Sequence, residues 1–162
     1  MIHTKPRSRE KMATMSAIER EEVARVVVDR AYHLYRDLGP GLLESVYEIV
    51  LAGALARSGL RVERQKPIPI EHDGMSFADA FRIDLLIENT VIVEIKSVET
   101  LAKVHGKQLL TYLRLASQPL GLLINFGAAT FREGVKRVVN GHTAFVPSRL
   151  RVIPPSSTYD QP

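Results

Sequence analysis

The sequence predicts an α/β fold with a mixed sheet, in which two helices come first and a third is inserted before the closing strand. Three observations carry this. Apolar residues recur at helical spacing over the first third of the chain, then switch to strand alternation and short apolar runs. One further helical stretch interrupts the strands, so the order is helix, helix, three or four strands, helix, strand. And 162 residues at 45% apolar and 25% charged are enough for one domain with its own core.

In the helix predicted from Ala17 to Leu38, the positions Ile18, Val23, Val26, Val27, Ala31, Leu34 and Leu38 form the apolar stripe. Gly39-Pro40-Gly41 breaks it, and a second helix runs from Leu43 to Ser58, stopping at Gly59. Leu60 to Gln65 and Ile68 to His72 read as short strands, with Asp73-Gly74 as a turn. Phe81 to Ile87 and Val91 to Ser97 are the strongest strands, flanking the polar Glu88-Asn89-Thr90. A helix follows from Leu101 to Ala116, then a buried strand from Leu120 to Asn125. Phe131 to Asn140 reads as a last strand, or a strand plus a turn. By composition, residues 1–16 form a loose basic arm, 17–146 the domain, and 147–162 a Pro/Ser-rich tail.

Net charge is +4 and the pI about 9.5, a mild leaning toward a polyanionic partner. The absence of cysteine excludes disulfides, thiolate zinc sites and a cysteine nucleophile. No apolar run approaches the roughly 18 residues of a membrane span, and no signal-peptide apolar core follows the basic start. The expected location is the cytoplasm. Gly39-Pro40-Gly41 lacks a Lys-Ser/Thr follow-up and a preceding strand, so it is no phosphate-binding P-loop.

The chemistry sits in the two strong strands. Side-chain alternation puts Phe81, Ile83, Leu85 and Ile87 on one face and Arg82, Asp84 and Leu86 on the other. It likewise separates Val91, Val93 and Ile95 from Ile92, Glu94 and Lys96. A three-residue loop at Glu88-Asn89-Thr90 pairs Ile87 with Val91, Leu85 with Val93 and Ile83 with Ile95, keeping one face wholly apolar. That register sets Asp84 opposite Glu94 and Arg82 opposite Lys96. Two carboxylates placed opposite, with Cβ atoms about 5 Å apart, repel unless a divalent cation lies between them. Carboxylates, water and a backbone carbonyl, here Ile95, suit magnesium or manganese. The cation would polarise a scissile phosphate and acidify a bound water, and Lys96 would stabilise the developing charge or position that water. The alternative is a solvated hairpin face.

Asp84 followed by Glu94-Ile95-Lys96 resembles the D-(x)n-ExK signature of the PD-(D/E)XK nuclease superfamily. Gly41-Leu42-Leu43-Glu44-Ser45-Val46-Tyr47 resembles the motif that names the GxxExxY protein family. Gln108-Leu109-Leu110-Thr111-Tyr112 is similar to the Q-xxx-Y element of RecB-like nucleases, and the run Gly121 to Gly127 to the family's closing strand. The resemblance spans roughly residues 20 to 140. It implies a restriction-endonuclease-like αβββαβ core, a Mg2+ or Mn2+ cofactor and a nucleic-acid substrate, DNA being expected. It also implies that Glu44 joins Asp84, Glu94 and Lys96 as catalytic groups, with Asp84, Glu94 and Ile95 on the metal and Gln108 and Tyr112 on the substrate. The residue before Asp84 is Ile83, not proline, and the place of a frequent family histidine holds Tyr35, with His33 nearby.

Each candidate has a second reading. Glu44 near a helix start is favoured by the helix dipole alone, and Tyr47 suits core packing. Gln108 and Tyr112 also fit an ordinary amphipathic helix, which His105 shares. Arg82 would contact phosphate or pair with Glu94. The basic set Arg132, Lys136, Arg137 and Arg149 would track a nucleic-acid backbone or merely solubilise a face. Three functions follow: a metal-dependent phosphodiesterase, a non-cleaving nucleic-acid-binding or protein-interaction module on the same fold, and a homodimer partner using the apolar helix from Ala17 to Leu38.

Overall fold

The computed structural model describes residues 15–141 and the backbone of 152–153. The arm up to residue 14, Arg149 and the remaining tail positions lie outside the described residues.

Helix α1 spans Ala17–Leu38. Ser16 caps it reciprocally with Glu19: the Glu19 N–H donates to Ser16 Oγ at 3.2 Å and the Ser16 N–H to Glu19 Oε2 at 2.7 Å. Gly39, at φ 67°, ends it. Helix α2 spans Glu44–Arg57, and Ser58-Gly59 turns the chain into the sheet. Strand β1 is Val62–His72, β2 Met75–Ile87 and β3 Val91–Lys96; helix α3, Lys103–Leu115, then leads to β4, Leu120–Asn125. A helical turn α4, Phe131–Gly134, precedes β5, Val135–Val139, and a two-residue β6, Val152–Ile153, completes the sheet.

Strand order follows chain order from β1 to β6. Among the described strands only β3 and β4 run parallel, and α3 is their crossover; the other neighbours are antiparallel. This is the mixed α/β architecture expected from the sequence. Helices α1 and α2 cover one face through Val27, Ala31, Leu51 and Leu55, packed on Leu85, Val93, Ile95 and Leu122. Helix α3 covers the other through Leu109 and Leu113, packed on Leu86, Ile92 and Leu123. Strand β4 is buried along its whole length, as a central strand between two helical layers must be. No helix among the described residues is long and apolar enough to cross a membrane.

Three expectations need correction, and the strand-plus-turn reading of Phe131 to Asn140 is refined. The two short strands at Leu60–Gln65 and Ile68–His72 are one edge strand, β1; Pro67 and Pro69 are tolerated there because an edge need not donate at every position. Strand β2 starts six residues earlier than expected, at Met75, because a tight turn with Asp73 at φ 48° and Gly74 at φ 72° extends the β1–β2 ribbon past β3. Phe131–Gly134 is helical, since Thr130 accepts the Glu133 N–H and caps a turn before β5 begins. Finally, Ile18 and Leu38 are exposed, whereas Ala24 and Val28 are buried. The stripe of α1 is centred on Val27 and Ala31 and packs into the core.

Candidate active site

Three pairs carry the β2–β3 ladder: Ile87 with Val91, Leu86 with Ile92 and Leu85 with Val93. The predicted pairs Ile87–Val91 and Leu85–Val93 form, closed by a loop with Glu88 and Asn89 at φ 48° and 52°, but the predicted pairs Ile83–Ile95, Asp84–Glu94 and Arg82–Lys96 do not, because the ladder ends at Leu85. Beyond Leu85 no further residues of the two strands pair. Asp84 Oδ2 instead accepts the Ile95 N–H at 2.8 Å. The N–H and C=O of one strand residue point to the same edge, so the Ile95 carbonyl is directed into the same gap. Ile83 also leaves its expected face: it is buried with Leu86 and Ile92, not with Leu85 and Ile87. Alternation is broken at Asp84 because that side chain does a backbone group's work.

Glu94 is buried, and its Oε2 has no hydrogen-bond partner. Lys96 Nζ lies 3.8 Å from the other oxygen. Burial first, then the charge of Asp84, pushes the Glu94 carboxyl up to about 8, against the pull of Lys96. Burial also raises Asp84, with Glu48 adding repulsion, while the Ile95 N–H and Gln65 act the other way. Two neighbouring carboxyls raised by burial and by each other's charge are the environment a hard cation reverses. Among the described residues no three acidic, histidine or cysteine side chains converge into a metal cage. The donors present are two carboxylates and a main-chain carbonyl, hard oxygen groups of the kind that bind a divalent cation together with water. The orphaned Glu94 oxygen and the Ile95 carbonyl are suitable donors.

Glu44 is the first residue of α2, and its Oε1 accepts the Ser97 N–H at 3.3 Å at the end of β3. Its charge raises Glu94 further, so it borders the same gap. Ser97 ties this junction by donating from Oγ to the Leu42 carbonyl at 2.7 Å. Tyr47 is fully buried and stacked on Phe126, with centroids 4.3 Å apart. Its hydroxyl donates to the Gly39 carbonyl at 2.5 Å and accepts the Leu42 N–H at 3.2 Å. Tyr47 thus holds the glycine loop that delivers Glu44; the packing reading is the one that holds.

On α3, Gln108 Nε2 donates to the Tyr112 hydroxyl at 2.8 Å. The charges of Glu94 and Asp84 both raise Tyr112, after its burial, so this face of α3 looks toward the gap. Tyr112 stacks on Phe81 with centroids 4.1 Å apart. His105 does not join them: its Nδ1 accepts the Ala102 N–H and caps the helix. Arg82 is not placed beside Lys96. It pairs with Asp79 at 2.7 Å and reaches the Gln65 carbonyl, because β2 has left β3 before that position. Arg137 pairs with Glu21, which draws it away from the basic set. Tyr35 bonds the Ala128 and Ala129 carbonyls, and His33 Nδ1 lies 2.8 Å from the Asp29 carbonyl, so neither points to the site.

Three contributors escaped sequence reasoning. Glu48, one turn after Glu44, is buried and ion-paired with Arg64 at 3.1 Å; the i, i+4 spacing was its only sequence signal. Gln65 reaches both Glu48 and Asp84. Asn125 clasps the chain just beyond Lys96, accepting the Val98 N–H at 3.0 Å and donating to the Val98 carbonyl at 2.8 Å.

Comparison with curated proteins and with solved structures yields no match. The family model of the PD-(D/E)XK nuclease superfamily matches residues 21–138, a span that begins in α1, ends in β5 and includes every group just described around the gap. The chain belongs to the PD-(D/E)XK nuclease superfamily.

Proposed function

We propose that this protein is a Mg2+- or Mn2+-dependent nuclease that hydrolyses phosphodiester bonds in DNA, and that it belongs to the GxxExxY branch of its superfamily. The observation that carries the reading is the unpartnered, buried Glu94 oxygen beside Asp84 and Lys96. Buried polar atoms in folded proteins are nearly all hydrogen-bonded, so an unpartnered carboxylate oxygen at this position marks a place for a ligand, ion or water. The superfamily match supports the substrate class, and the sequence Gly41, Glu44, Tyr47 supports the branch.

Asp84, Glu94 and the Ile95 carbonyl would hold the cation, which when bound neutralises the scissile phosphate and lowers the pKa of a water. Asp84 is kept in place by the Ile95 N–H, so it orients without rearranging. Glu44 would order the attacking water at the open end of the gap. The water oxygen bonds to phosphorus, one bridging P–O bond breaks, and a proton passes to the departing oxygen. Lys96 offers its charge to the phosphate oxygens as this happens. Gln108 and Tyr112 would contact the strand from α3.

The test is a panel of single-stranded, duplex, nicked and branched DNA and RNA incubated with Mn2+ or Mg2+, comparing wild type with Asp84→Ala. Metal-dependent cutting that disappears in the variant is expected. Intact substrates, together with no Mn2+ binding by the wild type, would overturn the proposal and leave a non-cleaving module.

A further inference from the structure

Gln65 lies opposite Asp84 across the β1–β2 pair, between the partners Arg64–Leu85 and Lys66–Ile83. Yet its backbone is left-handed, at φ 50°, in the middle of a strand. Such a conformation is rare for glutamine and concentrates where the surroundings over-determine it for function. What it achieves is visible in the side chain. Nε2 donates to Glu48 Oε2 at 2.8 Å and to Asp84 Oδ1 at 3.3 Å. Both acceptors are carboxylates, so the nitrogen must be the end that faces them. Glu48 is in turn held by Arg64, through Nε at 3.1 Å.

We propose that Gln65 is the positioning residue for Asp84: with the Arg64–Glu48 pair behind it, its amide fixes the carboxylate so that one lone pair on each oxygen stays available to a cation. The proposal rests on Asp84 being a metal ligand. With Ile95 N–H on Oδ2 and Gln65 on Oδ1, both oxygens are oriented by one donor each. Each donor uses one acceptor site of an oxygen that has two. The amide also separates Asp84 from Glu48, two acids that would otherwise face each other; Glu48 is among the groups that raise Asp84. Groups that orient ligands in this way change metal affinity without touching the metal.

Mn2+ affinity by titration calorimetry, with the melting temperature of the metal-free protein measured in parallel, tests this on Gln65→Gly and Gln65→Asn. Glycine takes the left-handed backbone without strain, and asparagine tolerates it but is a methylene too short to bridge. Both variants should stay folded, the relief of backbone strain offsetting part of the lost amide bonds so that the melting temperature moves only modestly, while losing roughly 10-fold or more in Mn2+ affinity. Unchanged affinity overturns the proposal, and so does a loss of affinity matched by a collapse in melting temperature, which would mean a structural role only. Asp84→Ala is the control: if it binds Mn2+ as the wild type does, or if the wild type does not bind, the metal site itself is refuted rather than the role of Gln65 within it.

Discussion

The Asp84 carboxylate accepts the Ile95 main-chain N–H at 2.8 Å, in the place where β2 would have continued its ladder with β3. One side chain therefore ends a strand pairing, opens a gap and stands at its wall. Glu94 and Lys96 face the gap from β3, Glu44 reaches its end from α2, and Tyr112 approaches from α3.

Without metal, stability should fall as pH rises. The folded Glu94 carboxyl, pushed up to about 8 from 4.5, keeps its proton through a range where the unfolded chain has lost it. Its favourable contribution is complete below pH 4.5 and erodes as pH climbs toward 8; the raised Asp84 has the same sign. Glu94→Gln removes this loss. In a chelating buffer at pH 8 it should be more stable than wild type by on the order of 3 kcal/mol, measured by urea unfolding. At pH 4 the two should converge.

The same raised carboxyl makes metal binding proton-linked. Mn2+ takes the ionised form, so apparent affinity should rise by up to about 10-fold per pH unit between pH 6 and 8, with proton release visible as a buffer-dependent calorimetric enthalpy. A flat profile would show that Glu94 is not a ligand.

Lys96→Met should separate chemistry from metal. Lys96 faces Glu94 as a cation and helps to ionise it, so its loss leaves Glu94 protonated to higher pH; the comparison is therefore made above pH 8, where the carboxylate is ionised in both proteins and the ion keeps its ligands. Cleavage should fall by roughly 100-fold or more with Mn2+ affinity kept within a few-fold. Loss of both together would assign Lys96 to site architecture instead.

Tyr47→Phe should destabilise the protein by about 1–2 kcal/mol in denaturant unfolding, because the Leu42 N–H and Gly39 carbonyl lose their buried partner. The Phe126 stack is retained. A larger loss of cleavage than of stability would point to the delivery of Glu44.

Gly127→Ala should cost more, about 1–3 kcal/mol, since an added Cβ would lie 2.4 Å from the Val98 carbonyl oxygen. The clasp of Asn125 on Val98 would have to open, releasing the segment that follows Lys96. Differential scanning calorimetry of the variant checks it.

Much of this protein was determined by local sequence. The bounds of α1, the Asp73-Gly74 turn, the register of the three β2–β3 pairs and the buried, mostly apolar β4 all follow from periodicity, turn chemistry and the need to bury a face. Asp84, Glu94 and Lys96 were legible for the same reason: polar residues in strands otherwise built for a core stand out. What tertiary structure alone decided is how those strands part. That Asp84 would take the Ile95 N–H, turn Ile83 to the α3 side and leave Arg82 with Asp79 depends on where β3 diverges from the long β1–β2 ribbon. Glu48 and Gln65, 17 residues apart in sequence, meet only because α2 packs across β1 and β2. Alternation and propensity act over neighbouring residues, whereas a buried carboxylate is answered by whichever donor the packed fold brings to it.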